Sequence, residues 1–204
     1  PGTYARRARL PALHAGALNS VLAKLAAYPE RLAEIGDLCF RTQHWNEVQA
    51  KDDGTITRRS TADTGFALAP KDWVFSGPHF FLSNPYNKTP RRVCTEKGHY
   101  DTIDLPTLPD DYLPRTNYRP MADQAEYQRR TPRVSWVEDG AAGAKLVTEY
   151  FRLVFRAMIG SASERTLTGA LIPPGTAHIN GVQSSAFKET GNLLSAGCIC
   201  SALV

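Results

Sequence analysis

Leu18, Val21, Leu22 and Leu25 recur at helical spacing within the Ala- and Leu-rich residues 12–35, and Pro29 opens a second run through Leu32 to Ile35. Two packed helices are expected, stopped by Gly36. In "DLCFRTQHWNEVQAKDDGTITRRS" the strand-like residues from Leu38 to Val48, the turn residues Asp53-Gly54 and a return through Thr55 to Arg58 predict a β-hairpin. Residues 68–135 carry much of the proline and many aromatics without a sustained period. Trp73, Phe75, Phe80 and Phe81 make that stretch too apolar for a disordered linker, so it is expected to be an ordered excursion with short strands.

Regular patterning returns in "EYFRLVFRAMI", where Phe151, Leu153 and Phe155 alternate with Arg152, Val154 and Arg156. With "RTLTGALIPPG" after the polar "GSASE", this predicts a second hairpin, in which period two puts Arg152 and Arg156 opposite the Phe151, Leu153 and Phe155 stripe. That arginine face either meets an anionic partner or is a solvated face paired to Glu149 or Glu164. The apolar "CICSALV" has no turn or cap after it and is expected to be cut inside a further element. The pattern as a whole predicts an α+β chain. Residues 1–36 form a helical connector from a preceding region, and residues 37–204 a mixed, mainly antiparallel β module with long ordered loops.

Composition narrows this only in part. The 204 residues are 42% hydrophobic and 22% charged, an ordinary globular balance, and no apolar run approaches the roughly 20 residues of a membrane helix. Cys39, Cys94, Cys198 and Cys200 are scattered, and the close pair lacks the spacing of zinc ligands. Neither the cysteines nor the first residues argue for secretion, so a reducing cytoplasm is expected. Net charge is +4, and the basic residues bunch: Arg6, Arg7 and Arg9; Lys88, Arg91 and Arg92; Arg129, Arg130 and Arg133; Arg152, Arg156 and Arg165. Such clusters suit an anionic partner and also suit a solvated face.

Enzyme signatures are weak. Asn84-Pro85-Tyr86, in "FFLSNPYNKTPR", is one proline short of the Asn-Pro-Pro-Tyr loop with which adenine methyltransferases hold an extruded base. Gly140 and Gly143 in "DGAAGAKL" are a poor substitute for a glycine-rich cofactor turn. His44 and Glu47 lack metalloprotease spacing, and no serine sits in a nucleophile elbow. Neither catalytic residues nor metal ligands are expected within this chain.

The runs "WVFSGPHFFLSNPYNKTPRRVCTEKGHYDTIDLPTLPDDYLPRTNYRP" and "YFRLVFRAMIGSASERTLTGALIPPGTAH" resemble the region that follows the methyltransferase core in large adenine-methylating enzymes of bacterial phage defence. These include the adenine methylase of DISARM systems and single-chain restriction-modification enzymes with an Eco57I-like methylase domain. The resemblance covers roughly residues 38–185. It implies a target-recognition module that grips double-stranded DNA beside the parent's methyltransferase core, which would itself hold S-adenosylmethionine; no cofactor is implied for this chain.

Under that resemblance the chemistry of DNA contact singles out particular residues. Arginine can read guanine bidentately, asparagine can read adenine, and Lys, Thr and Tyr can hold phosphates. Lys88, Arg91 and Arg92, then Arg115, Asn117 and Tyr118 from "LPRTNYRP", and Arg152, Arg156, Arg165 and Thr166 from the arginine hairpin are the expected DNA-binding residues. Arg115 can instead cap a turn or pair with Asp110 or Asp111. The alternative to DNA recognition is a protein-interaction scaffold among other subunits of a defence complex.

Overall fold

The computed structural model describes residues 16–29, 34–59, 62–96, 98–158 and 167–202. The chain divides into two compact units, 1–36 and 37–204. In the first, helix α1 spans Gly16–Ala27. Residues 30–33, in the middle of the expected second helix, lie outside the described residues.

The second unit is built on a four-stranded antiparallel sheet. Its strands are β1 (Cys39–Thr42), β7 (Arg152–Arg156), β8 (Gly169–Ile172) and β10 (Val182–Phe187), in the order β1-β10-β7-β8. Between β1 and β7 the chain forms α2 (Glu47–Asp52), β2 (Ile56–Arg58), β3 (Val74–Phe75), β4 (Lys88–Pro90), β5 (Tyr100–Thr102), β6 (Tyr118–Pro120) and α3 (Gln124–Arg130). These strands pair as ribbons: β2 with β6 and β4 with β5 run antiparallel, and β3 runs parallel to β9 (Ala177–His178). Helix α4, Thr190–Ala202, follows β10. The class is α+β with mainly antiparallel sheets.

The expected hairpin from Leu38 to Arg58 does not form. β1 pairs with β10, Cys39 opposite Phe187, and β2 pairs with β6. His44, at φ +56°, breaks the extended run. Asn46 then caps a helix, its Oδ1 accepting the N–H groups of Val48 at 3.1 Å and Gln49 at 3.2 Å. An N-cap asparagine supplies an acceptor for donors that a helix start leaves open, so the segment turns instead of extending.

The second hairpin does form, β7 against β8, with Arg152 opposite Ile172 and Phe155 opposite Gly169. A Cβ at Gly169 would meet Val154 O at 3.0 Å and the Phe155 ring at 3.1 Å. Neither face of β7 is the free arginine face that period two predicts, because both faces are covered. Leu153 packs with Phe187 and Leu193 beneath α4. On the other side Val154 joins Trp73, Phe75, Phe80 and Ile172 in the main core. Arg152 lies on that core side and is wholly buried, while Phe151, expected to pack, is 57% exposed.

Candidate nucleic-acid interface

The β2–β6 ribbon brings together residues far apart in the sequence, pairing Thr57 with Arg119 and Arg58 with Tyr118. Around it stand Arg58, Arg59, Arg91, Arg92, Arg115 and Arg119. Three of these are neutralised: Arg58 by Glu47 at 3.4 Å, Arg91 by Asp101 at 2.8 Å, and Arg115 by Asp63 at 2.6 Å. Among the described residues Arg59, Arg92 and Arg119 have no carboxylate at salt-bridge distance. The ribbon and its flanking loops therefore carry a surplus of positive charge.

The loop from Asp63 to Phe66 ties this ridge together. Gly65 adopts φ +63°, a conformation open to glycine, and a Cβ there would lie 2.8 Å from Arg119 Nη2 and 3.7 Å from Arg59 Nη1. Arg119 donates to Phe66 O, and the Arg115 guanidinium sits 4.4 Å from the Phe66 ring centroid. The Gly65 N–H and Arg115 hold the Asp63 carboxyl below its usual range, with Arg92 adding to the effect. Burial and the neighbouring Arg59 charge lower the affinity of Arg119 for its proton.

Beside the ridge lies a cleft of about 630 Å³, lined by both strands of the ribbon together with Ser76, Lys88, Tyr100 and Arg156. Four expected DNA-binding residues, Lys88, Asn117, Tyr118 and Arg156, meet in its wall. Asn117 and Tyr118 are each only 4% exposed. Asn117 Nδ2 donates to Tyr100 Oη at 2.8 Å and approaches Cys94 Sγ at 3.4 Å, while its Oδ1 has no partner. Burial pushes the Tyr100 hydroxyl up to about 12 and raises Tyr118 as well.

Behind that wall Ser76 Oγ lies 3.0 Å from Tyr100 Oη and 3.1 Å from His79 Nδ1, and His79 Nε2 donates to Arg115 O at 3.1 Å. A serine beside a histidine whose far nitrogen is held resembles an activated nucleophile. Here His79 Nδ1 also accepts the Ser76 backbone N–H at 3.0 Å, so its lone pair closes the turn Gly77–His79. The pair anchors the wall.

The remaining expected residues are dispersed. Arg91, Arg92 and Arg115 belong to the ridge; the acid that engages Arg115 is Asp63, neither Asp110 nor Asp111. Arg152 is withdrawn from any surface. Its Nη2 donates to Thr176 O and Oγ1, its Nη1 donates to His44 Nδ1 at 3.4 Å, and burial brings its pKa down to about 9. Arg165 and Thr166 lie outside the described residues.

Asn84 and Tyr86 are spent on structure. Leu82 and Ser83, at φ +44° and +69°, form a tight turn closed by hydrogen bonds between Phe81 and Asn84. Asn84 Oδ1 accepts the Tyr86 N–H at 2.8 Å, and the Tyr86 ring packs on Trp73 at 5.4 Å. Gly140 and Gly143 meet nothing within 4 Å of an added Cβ.

A larger cleft, about 840 Å³, borders α3 and includes Tyr127, Arg133 and Glu149. It gathers none of the expected residues. Sequence reasoning missed Arg58 and Arg59 as site residues, although they carry a visible signal as adjacent arginines just past a turn; Arg119 stands in the "LPRTNYRP" run already singled out for DNA contact. Among the described residues no cluster of His, Cys, Asp or Glu could hold a metal ion, and no helix is long and apolar enough to cross a membrane. No family model, no curated protein and no solved structure matches the chain.

Proposed function

We propose that residues 37–204 are the DNA-recognition module of a site-specific adenine N6 DNA methyltransferase in a restriction-modification or phage-defence system. The resemblance of residues 38–185 supports the family. The observation that carries DNA contact is the ridge, where Arg59, Arg92 and Arg119 lack carboxylate partners. The exposed Arg59 and Arg92 engage phosphates at little cost, since no internal ion pair has to be broken, whereas Arg119 is half-buried and already donates to Phe66 O. Arg115 and Arg91 would have to exchange an acid for a phosphate. Methyl transfer, and the S-adenosylmethionine it needs, belong in this reading to the parent's core. Asn84 and Tyr86 hold each other and the core, which leaves them unsuited to gripping a base.

Fluorescence anisotropy with a labelled duplex tests the reading. Binding should weaken steeply with salt, each phosphate contact adding about 0.9 to the slope of log affinity against log salt. Arg92→Ala should reduce that slope by about 1 and weaken all sequences alike. Folded protein that fails to bind duplex at low salt would reject the module and favour a scaffold within a defence complex.

A further inference from the structure

The cleft beside the ridge has the size of a small-ligand site, about 630 Å³, with Tyr100 and a few polar groups in its wall; Tyr118, 4% exposed with the Arg58 guanidinium 5.8 Å from its ring centroid, backs that wall. Two of its cations are uncommitted: among the described residues neither Lys88 nor Arg156 has a carboxylate partner. Of the acids in its wall, Glu47 already faces Lys51 at 3.8 Å and Arg58 at 3.4 Å. Glu96 is the other, so the free charge of the cleft is positive. This favours an anion.

Asn117 adds a second demand. Tyr100 and Cys94 fix its amide nitrogen, and its Oδ1, shielded from solvent, accepts from nothing. A buried acceptor without a donor is costly, and a ligand N–H removes that cost. Because Oδ1 is shielded, an incoming donor reaches it only after a side chain shifts.

An anionic group and an N–H donor carried by one small ring system, sized for the cleft beside Tyr100, together describe one class of ligand. We infer that the cleft binds a single nucleotide, its phosphate on Lys88 and Arg156 and an exocyclic amino group of its base donating to Asn117 Oδ1. The inference goes beyond duplex recognition and does not depend on it. The nucleotide is either free or one unit of a single strand.

The test is calorimetry on the 204-residue chain with AMP, with purine riboside 5′-monophosphate, which lacks only the amino group, and with inorganic phosphate. AMP should bind saturably and the amino-free analogue about tenfold more weakly, as expected for one lost hydrogen bond to a buried acceptor. Lys88→Ala and Arg156→Ala, with far-ultraviolet circular dichroism unchanged, should each weaken AMP about tenfold. A short oligoadenylate that binds more tightly than AMP assigns the site to a strand, and weaker binding assigns it to the free nucleotide. No saturable AMP binding, equal binding of AMP and phosphate, or indifference to both substitutions would overturn the inference. Duplex affinity is read separately, so either proposal can fail without the other.

Discussion

Arg152 takes a positive charge into the core without a carboxylate partner among the described residues. What holds it is geometry. Its guanidinium joins β7 to the turn before β9 through Thr176 and to the end of β1 through His44, while its Nε has no partner. Burial disfavours the charged form, which is why its pKa falls to about 9. Arg152→Ala loses both the stem and the bonds and should cost roughly 2–4 kcal/mol. Arg152→Met keeps the stem volume and removes the desolvated charge, so urea melts should show a smaller loss. Equal losses in the two variants would place the whole effect in the hydrogen bonds. Duplex affinity per folded molecule should stay unchanged in both, because Arg152 reaches no surface.

At the scale of elements, α2 and the β7–β8 hairpin show what the sequence could reveal. The alternation of Phe151 to Arg156 located β7 and its turn partner, since period two is a local property. It could not show that α4 covers one side and Trp73, Phe75 and Phe80 the other, and so it misassigned Arg152. The pairing of β1 with β10 joins residues separated by most of the module and that of β2 with β6 residues some sixty apart, and no local pattern encodes either. The interface suffers for the same reason: the ridge exists only once the β2–β6 ribbon has paired, so Arg58 and Arg59 go unselected, while Lys88, Asn117, Tyr118, Arg119 and Arg156 stand out by residue type. Helix α2 was legible in principle. Asn46 with Glu47 next to it and Gln49 three residues on is a helix-start signal that the strand-like flanks overrode. Asn46→Ala should cost about 1 kcal/mol in thermal or urea melts. It should also loosen Glu47, whose N–H donates to Asn180 Oδ1 and whose carboxylate faces Arg58 in the cleft wall. A fully stable variant would mean that packing of Ala50, with no help from the cap, holds the helix.

For the whole molecule, buried neutral histidines set the response to acid. His79 and His178 are fully buried, and burial is the largest cause of the downward shift in each, His178 to about 3. His44, partly exposed and facing His178 and Arg152, is shifted the same way. Hydrogen bonds define the neutral forms: His178 Nδ1 donates to Ile179 O, and Ser184 Oγ donates to His178 Nε2 at 2.7 Å. In the unfolded chain these rings take up protons near pH 6.5, while in the folded chain they do so at lower pH. The unfolded state thus binds more protons below pH 6.5. Stability is full above that value and declines as pH falls toward the folded pKa values. Carboxylates add to the loss only at lower pH, Glu126, held to about 2 by Arg129 and Arg130, among them. Each fully buried histidine should contribute up to about 1.4 kcal/mol per pH unit in the window below pH 6.5. Urea midpoints measured from pH 7.5 to 4.5 should therefore fall mostly below pH 6.5. His178→Gln should be less stable at pH 7.5, having lost a fitted hydrogen-bond pair, yet its stability should decline more gently with acid by about 1.4 kcal/mol per unit. An unchanged slope in that variant would show that the histidine titrates freely in the folded state and that another group governs acid unfolding.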